Sequence, residues 1–253
     1  RVIGFQRIEN PDGTDFFINT KTIGSFIEEL SSTIQKIDYL EDIKNLLNPY
    51  IQNSDYEVVT TVKPEGGLGG VYISEIDTVT NRLEGSTIIM DNTLDKKKSA
   101  ITLFHEILHA FTSNSVQQDP VLYKKTKALF DIWYSKFEKS ESIPTVFKRY
   151  ITEYKSNPTP ETERKVLSEF ITYELTDKSV VTQLKNTLIK PQENKTQLDL
   201  FGEKIESAFN KLVEVVLETF GITKANMEVN AYDLLKDTVG EFISQGANLK
   251  NDN

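Results

Sequence analysis

The chain has 253 residues, a formal net charge of −9, and 38% hydrophobic and 26% charged residues, the composition of a folded, rather polar protein with room for one large domain or two small ones. Its acidity argues against a broad electrostatic surface for nucleic acid or anionic membrane, and the complete lack of cysteine excludes disulfides, a thiolate nucleophile and every cysteine-based metal site. No apolar run approaches the roughly 20 residues of a bilayer span, so a soluble chain with no membrane partner is expected.

The chain begins at Arg1 with neither an initiator Met nor a signal-peptide pattern, and reads as a piece of a longer polypeptide. Residues 1–19 predict two short strands around an Asn10-Pro11-Asp12-Gly13 turn. From Thr20 to about Ile51 the apolar positions Ile23, Phe26, Ile27, Leu30, Ile34, Ile37 and Leu40 recur at helical spacing. Two helices are expected there, the second ending at Asn48-Pro49. Tyr56–Val62, Val71–Ile76 and Ser86–Met90 carry the β-branched and aromatic content of strands. The glycines at 66, 67, 69 and 70 lack the Gly-Lys-Ser/Thr ending of a phosphate loop and predict a hairpin connection instead. Beyond Thr93 nearly everything predicts helix, over 95–115, 119–139, 144–155, 160–176, 178–188, 197–219 and 229–246. Asp119-Pro120, Asn157-Pro158 and Pro160 mark breaks, and Gly221 suits a helix C-cap.

Both histidines of the chain stand in one run, His105-Glu106-Ile107-Leu108-His109, inside a segment apolar nearly all round. Such a helix is expected to be buried. Residues four apart share a helix face, so both imidazoles can address one metal ion. Glu106 sits next to the first of them, directed at the ion's open position, where it can take a proton from an activated water. The competing reading is a metal-free histidine pair in the core. It must satisfy two imidazoles and a carboxylate by other means.

Two histidines leave zinc short of a protein ligand. The metzincin continuation would need Gly at 112 and His at 115, where this chain has Thr112 and Ser115. With no cysteine and no third histidine, the missing ligand must be a carboxylate. Glu138, Glu141, Glu153, Glu161 and Glu163 lie in charged, solvated surroundings. Glu169 lies in Val166-Leu167-Ser168-Glu169-Phe170-Ile171, whose apolar neighbours predict burial, and a buried carboxylate requires a partner. Glu169 is therefore the expected third ligand, with Glu174 as the next candidate. Thr172 and Tyr173 follow one turn later and can hold a ligand by hydrogen bond. Tyr173 can instead donate to the oxyanion formed when water attacks a carbonyl, or simply pack in the core. Tyr72, Tyr123, Tyr150 and Tyr154 are further donors that the sequence does not rank.

With these residues in place the chain resembles the gluzincin branch of zinc metallopeptidases. It is similar in particular to the zincin-like domains embedded in very large bacteriophage polyvalent proteins. The resemblance rests on a strand from Ser86 to Asp91, the helix with His105 to Ala110, and the segment Ser168-Glu169-Phe170-Ile171-Thr172-Tyr173-Glu174-Leu175-Thr176-Asp177. It covers roughly residues 68–185, and departs from those domains at Tyr173, where they more often carry an acidic residue. It implies His105, His109 and Glu169 as Zn2+ ligands and Glu106 as general base.

The expectation is thus an α+β, zincin-like fold forming one composite catalytic domain. Residues 1–94 would supply a small mixed sheet, with Ser86–Met90 as the edge strand that pairs with substrate. Residues 95–253 would carry the histidine helix and the third-ligand glutamate. The expected activity is zinc-dependent hydrolysis of peptide bonds. The partner would be a protein or peptide, including the parent polypeptide or companion virion proteins, in the cytoplasm or on a virion. The rival is a zincin-fold structural or interaction module that cleaves nothing. An intact Glu106 counts against it, because a structural zinc site needs no general base.

Overall fold

The computed structural model describes residues 4–9, 15–51, 57–61, 69–77, 82–189, 219–220 and 229–251. It is a mixed α+β protein. Its chain divides into two compact units, Arg1–Phe111 and Thr112–Asn253, with the division falling inside one helix.

In the first unit β1 (Gly4–Glu9) and β2 (Asp15–Thr22) form an antiparallel hairpin in register from Gly4↔Thr20 to Glu9↔Asp15. The predicted turn at Asn10–Gly13 lies outside the described residues. Thr22 caps α1 (Ile23–Ile34), its hydroxyl accepting from the Ser25 N–H at 3.2 Å. Ile23, Ile27, Leu30 and Ile34 face inward, the i, i+3, i+4 stripe that the sequence predicts. The second helix, α2 (Asp38–Ile51), continues through Pro49 instead of ending at Asn48-Pro49. Proline removes one N–H and crowds the preceding turn, a cost that falls here in the last turn, where termination follows anyway.

Three more strands complete a five-stranded sheet: β3 (Glu57–Thr61), β4 (Gly70–Asp77) and β5 (Arg82–Asp91), in the order β1-β2-β3-β5-β4. β5 runs parallel to β3 and antiparallel to β4. Ser86–Met90 is therefore an inner segment paired on both sides, not the edge strand expected. Among the described residues the outer strands of the sheet are β1 and β4. Val58, Ile88 and Met90 are fully buried, giving the sheet one covered face. The glycine-rich connection at 62–68 lies outside the described residues.

Asp95 starts α3 (Lys96–Gln118), its carboxylate accepting from the Lys98 N–H at 2.9 Å. The burial predicted for this helix is found: Ala100, Leu103, Phe104, Ile107 and Leu108 have no exposed surface.

The second unit is helical: α4 (Pro120–Phe137), α5 (Thr145–Ser156), α6 (Pro160–Thr176), α7 (Lys178–Lys185) and α8 (Ala231–Asn251). The two-residue strands β6 (Leu188–Ile189) and β7 (Val229–Asn230) pair antiparallel, so the helix predicted over 178–188 ends early. Of the helix predicted over 197–219 only Thr219 is described, and Gly221 lies outside the described residues. The prolines expected to mark breaks do so from inside the next helix: Pro120 and Pro160 occupy first-turn positions, where a missing N–H costs nothing. Trp133 is the hub of the core, with ring centroids of Phe147 at 5.5 Å and Phe170 at 5.7 Å. Its indole N–H donates to Gln183 Oε1 at 3.0 Å, so no polar atom of this ring is stranded. No helix among the described residues is long and apolar enough to cross a membrane.

Candidate metal centre

α3 carries His105 and His109 one turn apart, and the helix geometry sets their rings edge to face, centroids 4.9 Å apart. Their Nε2 atoms stand 3.2 Å from each other. Two nitrogens bound to one tetrahedral zinc, each at about 2.0–2.1 Å, are separated by about 3.3 Å. The pair is thus at chelating distance. Burial, and then the charge of His109 beside it, hold His105 well below the usual imidazole value of 6.5. A neutral imidazole is the form that binds a metal.

Glu169 completes the set. One ligand atom each from His105, His109 and Glu169 lies within 4.8 Å of the others. All three residues are half-buried, so the polar cluster keeps some access to solvent. Two imidazole nitrogens and one carboxylate oxygen are a donor set suited to zinc, and the three residues can hold such an ion.

α6, which carries Glu169, packs against α5 as an antiparallel hairpin. Tyr154 donates to Glu163 at 2.6 Å near its connection, and the Phe147 and Tyr173 rings stack at 5.3 Å at its far end. The same register faces Tyr150 toward Glu169. Burial, and then the Glu169 carboxylate, raise the Tyr150 hydroxyl above its usual 10.0, opposed by Arg149.

Other carboxylates expected nearby do different work. Glu174 is fully buried, and among the described residues neither of its carboxylate oxygens has a hydrogen-bond partner. It comes five residues after Glu169, well round the helix, and lies outside the metal cluster. Glu163 is not the solvated residue expected, since it is half-buried and accepts from the hydroxyls of both Tyr123 and Tyr154. That commitment takes these two tyrosines out of the list of oxyanion donors. Glu138, Glu141, Glu153 and Glu161 are exposed, as expected. Thr172 spends its only proton on the Glu169 carbonyl at 2.9 Å, so it holds backbone and not a ligand side chain. Tyr173 is half-buried with its ring stacked on Phe147, which fits the packing alternative.

Glu106 is buried, with 7% of its surface exposed. One wall of its surroundings escaped the sequence reading. The backbone at Gly70, the first residue of β4, approaches so closely that a Cβ there would stand 3.0 Å from Glu106 Cγ. The glycines suggested a turn, and nothing in their spacing signalled a partner on α3.

Compared with protein-family models, with curated proteins and with solved structures, the chain matches none.

Proposed function

We propose that this chain is a zinc metallopeptidase of the gluzincin type, with a zincin-like fold. The observation that carries the reading is the convergence of His105, His109 and Glu169 within 4.8 Å, with Glu106 next to the first of them. In this reading the three residues hold Zn2+, whose Lewis acidity activates water and polarises a carbonyl.

The remaining chemistry belongs to the chain. Glu106 accepts a proton as water adds its hydroxyl to the carbonyl carbon, then returns that proton to the amine nitrogen as the C–N bond breaks. Its burial excludes bulk water that would compete for the proton. His105, kept neutral by its surroundings, offers a lone pair and no charge. Tyr150 is the tyrosine whose hydroxyl lies in the field of Glu169, and in this reading it supplies the oxyanion donor, while Tyr173 packs on Phe147. Among the described residues β4 is an outer strand of the sheet, the place where an extended peptide would add, which makes a protein or peptide the natural substrate.

The test pairs metal content with activity. Zinc is measured in the wild type and in Glu169→Ala, and cleavage of a broad peptide library in the wild type and in Glu106→Gln. One zinc per wild-type chain, lost in Glu169→Ala, and cleavage abolished by Glu106→Gln are expected. Full zinc occupancy without Glu169 overturns the ligand set, and cleavage surviving Glu106→Gln overturns the mechanism. A wild type that binds zinc and cleaves no peptide identifies a structural module instead.

A further inference from the structure

We infer that Gly70 is a positioning residue for Glu106: the missing side chain at 70 is what lets the glutamate occupy its place against β4. The inference rests on Glu106 being the general base.

The ladder fixes the start of β4. Gly70 sits opposite Met90 of β5, and the Asp91 N–H donates to the Gly69 carbonyl at 3.0 Å. This stretch of backbone cannot swing outward without losing those bonds. On α3, Thr102 and Glu106 stand one turn apart on the face that meets it. A Cβ at 70 would lie 2.6 Å from Thr102 Cγ2, 3.0 Å from Glu106 Cγ and 3.3 Å from Glu106 Oε1. Carbon atoms at optimal separation are about 3.5–4.0 Å apart, so both side chains would have to give way.

Turn geometry does not explain the glycine. The backbone at Gly70 is not in the left-handed region, so any residue could adopt it. Space is the constraint, and a large part of that space is filled by the stem of Glu106. Its neighbour is less demanding: a Cβ at Gly69 would meet Thr102 Oγ1 at 3.3 Å, Leu94 Cδ1 at 3.4 Å and Thr102 Cγ2 at 3.7 Å, with no Glu106 atom closer than these. A general base must be held to about 0.5 Å of its working position, and misplacement by 1 Å costs up to about 100-fold in rate.

The variants are Gly70→Ala and the double variant Gly70→Ala/Thr102→Ser, which removes the closest contacting atom, Thr102 Cγ2. For Gly70→Ala we expect zinc stoichiometry like the wild type, KM changed little and kcat lowered by about 10- to 100-fold. A crystal structure of the zinc-free variant should show the Glu106 side chain displaced while His105 and His109 stay in place. In the double variant the thermal midpoint should recover but kcat should not, because the Glu106 Cγ contact at 3.0 Å remains. Should Gly70→Ala not fold, the double variant carries the same measurements. An alanine at 70 with Glu106 unmoved, or full recovery of kcat by Thr102→Ser, overturns the inference. If the wild type cleaves no peptide, the metallopeptidase reading fails, and the crystal structure still decides whether Gly70 places Glu106.

Discussion

Glu169 and Glu174 show how much a single helical position decides. Both stand on α6 among apolar neighbours, and sequence alone made both candidates for the metal. Five residues of rotation separate the one that belongs to the cluster from the other, which is buried with two oxygens unsatisfied among the described residues. Burial, and secondarily the nearby Asp177, push the Glu174 carboxyl well above its usual 4.5. The unfolded chain titrates near the ordinary value, so the folded state binds this proton more tightly. Its contribution to stability is complete at low pH and is lost as pH rises, by about 1.4 kcal/mol per unit until the folded carboxyl itself ionises. Glu174→Gln keeps the shape and cannot ionise. Its thermal midpoint should fall less than that of the wild type as pH rises above 4.5, with the gap widening in its favour. Parallel pH profiles for the two proteins would refute a buried, protonated Glu174. The cluster that could hold a metal ion was legible because both histidines of the chain stand four residues apart on one helix. That Glu169 and not Glu174 joins the cluster depends on the rotation of α6 about its own axis, which its apolar pattern does not specify.

Elements were legible where their signals are local. α6 opens with Thr159 as N-cap and Pro160 in its first turn, and Thr159 and Thr162 cap each other reciprocally: the Thr162 N–H donates to Thr159 Oγ1 at 3.2 Å and the Thr159 N–H to Thr162 Oγ1 at 3.0 Å. Removing such a cap costs about 0.5–2 kcal/mol. Thr159→Ala should therefore lower the denaturant midpoint without altering zinc stoichiometry, since Glu169 lies more than two turns further along the helix. Loss of zinc in this variant would mean that the first turn, and not the hairpin with α5, fixes Glu169. Strand position was not legible in this way. Ser86–Met90 has strand composition whether it lies at an edge or inside, and its place depends on Val58↔Ile88 and Tyr72↔Ile88 pairings made with residues distant in sequence. The contact of Gly70 with Glu106 is non-local for the same reason.

For the whole chain, the proposed metal site links metal binding to folding. His105, His109 and Glu169 come from α3 and α6 and converge only in the folded state, whereas the unfolded chain holds no comparable ligand set. On the proposed reading zinc would stabilise by mass action, about 2.7 kcal/mol at free metal one hundred times above Kd. For a protein of this size each kcal/mol moves the thermal midpoint by about 2–4 °C, so a rise of about 5–10 °C is expected. Two imidazoles also select the ion. Magnesium prefers oxygen donors and gives up its waters reluctantly, so the same concentration of magnesium should leave the midpoint where it was. Differential scanning calorimetry of the metal-stripped chain, with zinc and with magnesium, measures both effects. Glu169→Ala and His109→Ala should each lose most of the zinc-induced rise while their metal-free midpoints stay near that of the wild type. An equal rise in Glu169→Ala would place the stabilising metal elsewhere on the molecule, and a rise with magnesium would point to a carboxylate site without histidine.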